Sequence, residues 1–240
     1  MGPKKMRAVV LLLEGQTEEI LYYTLLKRVY KAQEANCAET PEKLRDLLEP
    51  LGRRKCLKVR QVYVAMCNCS GVENIKETLK LLLKRRELAE ALRDTAIHIV
   101  IAADRDERPA QAIKDMLQSL GYTPAESGGT TVIPPLGLPI HVIEQGGRED
   151  TATGQIEDDL LKLVELVHPD LTQAAARLEE AHGALDNKQK LLLYLALLNR
   201  RPGIRKLYKA VKRLLKNADE TALRQALKNI VEQLDKLTAA

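Results

Sequence analysis

The chain has 240 residues, 45% of them hydrophobic and 30% charged, with a net charge of +5. That is an ordinary globular composition with room for one large domain, or a domain and an appendage. Phe and Trp are absent and Tyr occurs 7 times, so the core must be aliphatic, which argues against a base-stacking platform of the single-strand-binding kind. No run approaches the ~18 apolar residues of a membrane span. The basic start MGPKKMRAVVLLLEG meets Glu14 too early for a signal peptide and has Met6 where a myristoylation motif needs Ser or Thr, so the expected location is the cytoplasm.

In chain order, Ala8 to Leu13 is short, continuous and apolar, which predicts a buried strand. Thr17 to Tyr30 follows with helical spacing, entered through Gly15, with Glu18 and Glu19 where the helix dipole favours acids. Pro41 to Leu51 predicts a second short helix. Leu57 to Met66 alternates like a strand and leaves through Gly71, and Glu73 to Leu92 is helical. Ala96 to Ala103 is a second continuous apolar strand and Pro109 to Leu120 a helix. Pro139 to Ile143 predicts a fourth strand, with a minor one at Thr130 to Ile133. Strands and helices thus alternate over residues 1–150, which predicts an α/β core with a mainly parallel central sheet flanked by helices. After Gly154 the strands stop. Helices are expected over Gln155–Val167, Leu171–Ala181, Lys188–Leu198, Ile204–Lys216 and Thr221–Leu237, an all-helical region 151–240 packed on the core.

The four cysteines, Cys37, Cys56, Cys67 and Cys69, have neither the spacing of a zinc site nor an evident pairing. The expectation is reduced thiols, with a disulfide or a metal site as the minor alternative. Charge is uneven. Lys188 to Ala240 holds 13 Lys and Arg against 4 Asp and Glu, a net +9, which leaves −4 for the rest. This suggests a polyanion-facing end and a cation-binding body.

Two apolar strands end in carboxylate. Val9–Leu13 runs into Glu14-Gly15, and Ile97–Ala103 runs into Asp104-Arg105-Asp106. Ligands of open α/β sheets collect at the carboxyl ends of the strands. If the two strands are neighbours, the three acids converge, with Asp104 and Asp106 pointing the same way. Carboxylates without Cys or His suit a hard cation, Mg²⁺ or Mn²⁺, and Gly15 permits a close approach beside Glu14. Either motif alone is a common turn; the joint placement carries the specificity.

LLLEGQTEE followed by IVIAADRDE resembles the Toprim fold of topoisomerases and primases, and most of all the Toprim domains of overcoming-lysogenization-defect nucleases and small stand-alone Toprim-like proteins. The resemblance covers roughly the first 150 residues. It implies acid–base chemistry for Glu14 and Mg²⁺ binding for Asp104 and Asp106. More loosely, NCSGVENI occupies the place of a family glycine turn at Gly71. TGQIEDDLL implies second-metal ligands at Glu157 and Asp158, and DNKQKLLLYLALL a late lysine at Lys188. Helix capping and a solvated surface charge are the competing readings of those three residues. The tyrosine nucleophile domain of topoisomerases and the zinc module of primases are not visible here. The nucleases usually come fused to an ATPase, and this chain has no GxxxxGK[ST] loop, so an ATPase partner would be a separate chain.

RRPGIRKLYKAVKRLLK, residues 200–216, has eight basic residues and no acid. An apolar stripe leaves Arg200, Arg201, Arg205, Lys206, Lys209, Lys212, Arg213 and Lys216 for the surface, either as a solvated face or as a strip tracking nucleic-acid phosphates; membrane-surface binding is a third option, disfavoured because the apolar face lacks Trp and Phe. The expected function is Mg²⁺-dependent phosphodiester chemistry on DNA or RNA, most of all nuclease-type, with a homo-oligomer left open. The alternative is a non-catalytic nucleic-acid-binding or adaptor protein that keeps the Toprim-like core as scaffold.

Overall fold

The computed structural model describes residues 6–40, 42–51, 54–127, 130–133, 136–146, 154–199 and 207–238. In chain order it runs β1 (Met6–Leu13), α1 (Gln16–Arg28), β2 (Gln33–Ala35), α2 (Glu42–Leu48), β3 (Arg54–Val59), β4 (Val62–Asn68), α3 (Val72–Lys84), α4 (Arg86–Asp94), β5 (Thr95–Asp104), α5 (Pro109–Ser119), β6 (Ala125–Ser127), β7 (Thr130–Ile133) and β8 (Leu138–Gln145). Then come six helices: α6 (Ile156–Val167), α7 (Pro169–His182), α8 (Asn187–Asn199), α9 (Leu207–Asn217), α10 (Glu220–Ala226) and α11 (Lys228–Thr238). The fold is α/β, with one eight-stranded sheet among the described residues in the order β2-β3-β4-β1-β5-β8-β7-β6. The four central strands β4, β1, β5 and β8 are parallel. Antiparallel strands extend the sheet at both edges.

β1 lies at the centre because its whole apolar run is buried on both faces. Leu11 and Leu13 join the core that includes α1 and the C-terminal helices, and Leu12 joins the core under α2 to α5. Each such side chain contributes about 1.5–3 kcal/mol of burial. The chain goes from β1 to one side to make β4, then returns to the other side to make β5. The strand order therefore reverses between β1 and β5, and their carboxyl ends frame the crevice where open α/β sheets take ligands. The helices α6 to α11 are not a free unit. Residues of α6 and of α8 to α11 share one buried cluster with Val9, Leu11 and Leu13, and Arg28 at the end of α1 donates to the carbonyls of Leu215 (2.6 Å) and Lys216 (3.0 Å).

Four sequence expectations change. Leu57–Met66 is not one strand but the β3–β4 hairpin, turning at Arg60 with φ of 53°. No Gly or Asn marks that turn, so the alternation runs through it unbroken. The helix expected over Glu73–Leu92 is two, α3 and α4, broken at Arg85, whose backbone is extended (φ −78°, ψ 133°) and whose guanidinium holds the Asp46 carbonyl at 3.1 Å. Thr221–Leu237 likewise divides into α10 and α11 at Leu227. Cys37 and Cys56, expected as thiols, form a disulfide with a Cα–Cα distance of 5.2 Å. The physical reason is the short strand β2, which sets Ala35 opposite Cys56 and so delivers Cys37 to it. Cys67 and Cys69 are free thiols. No helix among the described residues is long and apolar enough to cross a membrane.

Candidate functional site

Glu14 follows the last residue of β1. Its N–H donates to the Ala102 carbonyl of β5 (3.1 Å), and its own carbonyl accepts from Gly71 N–H (2.7 Å) in the loop after β4. Gly71 has φ of 121°, a conformation other residues rarely adopt, so the turn read from the sequence holds Glu14 in place. The Glu14 side chain crosses to β5, where Oε2 accepts from Asp104 N–H at 3.0 Å. Gly15 then starts α1. Its backbone is extended, so conformation does not demand glycine there. A Cβ there would stand 2.9 Å from Glu18 Oε2, the movable end of a side chain, so space does not strictly demand glycine either. What approaches Gly15 is therefore the chain's own Glu18, folded back over the helix start and 5% exposed.

Asp104 ends β5 and Asp106 lies in the 3-10 turn Arg105–Glu107. Both carboxylates are received by the segment entering α6. Asp104 Oδ1 accepts from Ile156 N–H (2.8 Å). Asp106 accepts from Gly154 N–H (2.6 Å) and from Gln155 Nε2 (2.9 Å), and donates its own N–H to the Gly154 carbonyl (3.2 Å). These acids do not stand free at the strand ends, because backbone N–H groups satisfy them. Arg105 turns away from them, to within 3.8 Å of Glu144. Gly146, with φ of 73°, presses on the same segment so closely that a Cβ would lie 1.9 Å from the Gln155 carbonyl oxygen. Its N–H donates to Asp159 of α6 (2.9 Å). Beside it Gln145, fully buried, donates from Nε2 to the hydroxyl of buried Tyr22 (3.1 Å).

The electrostatics follow from burial and like charge. Glu18 is pushed up to about 7, first by burial and then by Glu14 and Glu157. Asp104 is pushed up to about 8, again first by burial, with Glu18, Glu14 and Glu157 adding to it against the lowering effect of the Ile156 N–H. Four carboxyls thus feel one another, and no ion pair with Lys or Arg neutralises Glu14, Glu18, Asp104 or Glu157 among the described residues. No three His, Cys, Asp or Glu side chains among the described residues already stand as a ligand set for a metal ion. The donor chemistry nevertheless fits a hard divalent cation: all the donors are oxygen, and their repulsion is uncompensated.

Of the second-metal candidates, Glu157 joins this cluster, whereas Asp158 caps α6 through Gln155 N–H (3.0 Å) and accepts from Asn187. That last bond brings the start of α8, with exposed Lys188, to the rim of the α6 entry. On α9, Lys209, Lys212, Arg213 and Lys216 are exposed as expected. Arg200, Arg201, Arg205 and Lys206 lie outside the described residues. Lys216 is held near Arg28, at the far end of α1 from Glu14, about 20 Å away by helix length.

No family model matches the chain, and neither does any curated protein. Among solved structures, the crystal structure of the hypothetical protein PH0156 from Pyrococcus horikoshii OT3 aligns with a TM-score of 0.69 at 18% identity, over 97% of this chain and 95% of that one. That likeness shows the fold alone. The arrangement of strands and C-terminal helices is shared end to end, and the site must be argued from its own side chains.

Sequence reading missed Glu18, Gln145, Tyr22 and Gly146. Glu18 carried a signal: it is the third residue of a helix capped by glycine, the position from which a glutamate folds back on the helix start. The others carried none, because their partners lie far along the chain.

Proposed function

We propose that this acidic crevice holds Mg²⁺ or Mn²⁺ and performs phosphodiester chemistry on nucleic acid, of nuclease type, in a Toprim-like core. The observation that carries the reading is the meeting of Glu14 and Asp104 across neighbouring parallel strands at the reversal of strand order, with Glu18 and Glu157 around them and no neutralising cation among the described residues. A divalent ion bound there supplies a polarised phosphate oxygen and a more acidic bound water. Asp104 and Glu14 are the residues that would hold it, with Glu157 at the rim. Asp106 follows as a ligand only on letting go of Gly154, and otherwise fixes the 154–156 segment against β5. In this reading Glu14 moves a proton at the attacking or leaving oxygen. Lys188 steadies charge on the phosphate, and the α9 lysines hold flanking backbone. The test is nicking and single-strand cleavage with Mg²⁺ or Mn²⁺ by wild type, Glu14→Gln and Asp104→Asn. Activity lost in both variants supports the reading. Full activity in both, or none in wild type under any divalent metal, removes it.

A second reading is favoured by one observation: one oxygen each of Asp104 and Asp106 accepts from a backbone N–H of the α6 entry, as a purely structural clamp would require. The protein would then bind nucleic acid without cleaving it, through Lys209, Lys212 and Lys216. Affinity that survives EDTA, falls with salt and drops in Lys209→Glu/Lys212→Glu belongs to this reading. No binding at low salt ends it.

A further inference from the structure

We infer that Gln145 is a neutral oxygen ligand of the cation site, completing with its amide carbonyl the donor set begun by Glu14 and Asp104. The inference rests on the proposed reading of the crevice as a cation site, and it takes the same hard divalent ions, Mg²⁺ or Mn²⁺.

Gln145 is the last residue of β8 and the direct partner of Asp104 in the parallel β5–β8 ladder. Adjacent strands are about 4.8 Å apart. Alternation along β5 puts Asp104 on the face of Val100 and Ala102, and alternation along β8 puts Gln145 on the face of Ile143; these are the same face of the sheet. Gln145 is 0% exposed. Its Nε2 is committed to Tyr22, which stands one helical turn after Glu18 and feels the charge of Glu18 and Asp159. The other end of the amide, Oε1, is therefore turned away from Tyr22. It is buried and, among the described residues, has no hydrogen-bond partner. A buried acceptor left unsatisfied is rare and calls for a functional explanation. Here Gln145 is the ladder partner of Asp104, whose carboxyl has no ion pair among the described residues, and Asn and Gln carbonyls commonly accompany carboxylates around hard cations. Tyr22 pins the amide from behind, so the oxygen is oriented in advance.

The reversed amide offers the rival arrangement. Tyr22 would donate to Oε1, and the NH₂ group would face the acids as a plain hydrogen-bond donor. In that case Gln145 contributes nothing to holding a cation, and the two arrangements separate in a binding measurement. Mn²⁺ is titrated into the full chain and the free ion followed by electron paramagnetic resonance, with circular dichroism confirming that each variant is folded. Wild type should bind and Asp104→Asn should not. Gln145→Leu should bind on the order of 10-fold more weakly or worse, and Gln145→Glu, which keeps an oxygen at the same reach, at least as tightly as wild type. Wild-type affinity in Gln145→Leu overturns the role of Gln145 while leaving the cation site standing. Should Gln145→Leu not fold, weaker binding by Gln145→Glu overturns it instead. Absence of Mn²⁺ binding by wild type at millimolar ion removes the site and this ligand together.

Discussion

Replacing Asp104 by Asn should make the protein more heat-stable at alkaline pH and leave it nearly unchanged at pH 4. Asp104 is raised in the folded chain from an ordinary 3.8 to about 8. The folded carboxyl therefore keeps its proton up to about pH 8, while the unfolded one loses it near pH 4. Between those values the folded state binds more protons, so this group's contribution to stability is full below pH 4 and is lost as pH rises to about 8. At ~1.4 kcal/mol per pH unit the ceiling is ~6 kcal/mol, and solvent screening at a part-buried carboxyl reduces it to roughly 2–3 kcal/mol. For a chain of this size that is roughly 5–10 °C in melting temperature. Asn keeps the acceptor for the Ile156 N–H and removes the charge. Thermal melts in chelator at pH 4, 6 and 8.5 measure the difference. Mn²⁺ added at pH 7.5 should raise the wild-type midpoint and not that of the variant. A variant that is less stable than wild type by the same amount at every pH would refute the argument, because the crowding of charge on which it depends would be missing.

Gly146→Ala should cost at least ~3 kcal/mol, since the new methyl collides with the Gln155 backbone as well as straining φ; Gly137→Ala, with φ of 61° and open space around it, should cost only ~1–2 kcal/mol, and urea unfolding compares them. The imidazoles of His98 and His141 are in contact at 3.0 Å between ring nitrogens, and burial holds both below the ordinary histidine value, His141 at about 4. The unfolded chain takes up protons below about pH 6.5 and the folded one does not, so this pair's contribution falls as pH drops from 6.5 to 4; the difference in stability between wild type and His141→Gln should shrink across that window. Peptide mapping of non-reduced protein should recover Cys37 linked to Cys56, with Cys67 and Cys69 alkylated as thiols.

The central strands were legible because continuous apolar runs bounded by acid or glycine have few other solutions, and the Glu14–Asp104 meeting followed once β1 and β5 were placed side by side. The β3–β4 hairpin was not legible, since Arg60 turns the chain without the residues that usually announce a turn. Nor was the clamp on Asp104 and Asp106. Its donors are main-chain N–H groups of Gly154 and Ile156, and every residue but proline has one, so no side-chain pattern betrays which will be used. Gln145 and Tyr22 come from distant segments and meet only after β8 has joined the sheet. The charge asymmetry was legible as a bulk property, while its position relative to the acids depended on the packing of α9 against α1.

The place of β1 at the middle of the sheet also sets an order of events in time. It precedes both of its neighbours in the chain: Val10 pairs with Ala65 on one side and with Ile99 on the other. At ~5–20 residues per second, roughly 5–20 s pass between the appearance of β1 and that of its second neighbour. Until β4 emerges this continuous aliphatic strand has no partner, and until β5 emerges its second edge stays open. Pairings this distant are slow to form even in a finished chain. The strand that brings Glu14 to the crevice is thus also the segment of nascent chain most exposed to pairing with a wrong strand, and it becomes safe only when β5, ending in Asp104, is laid beside it.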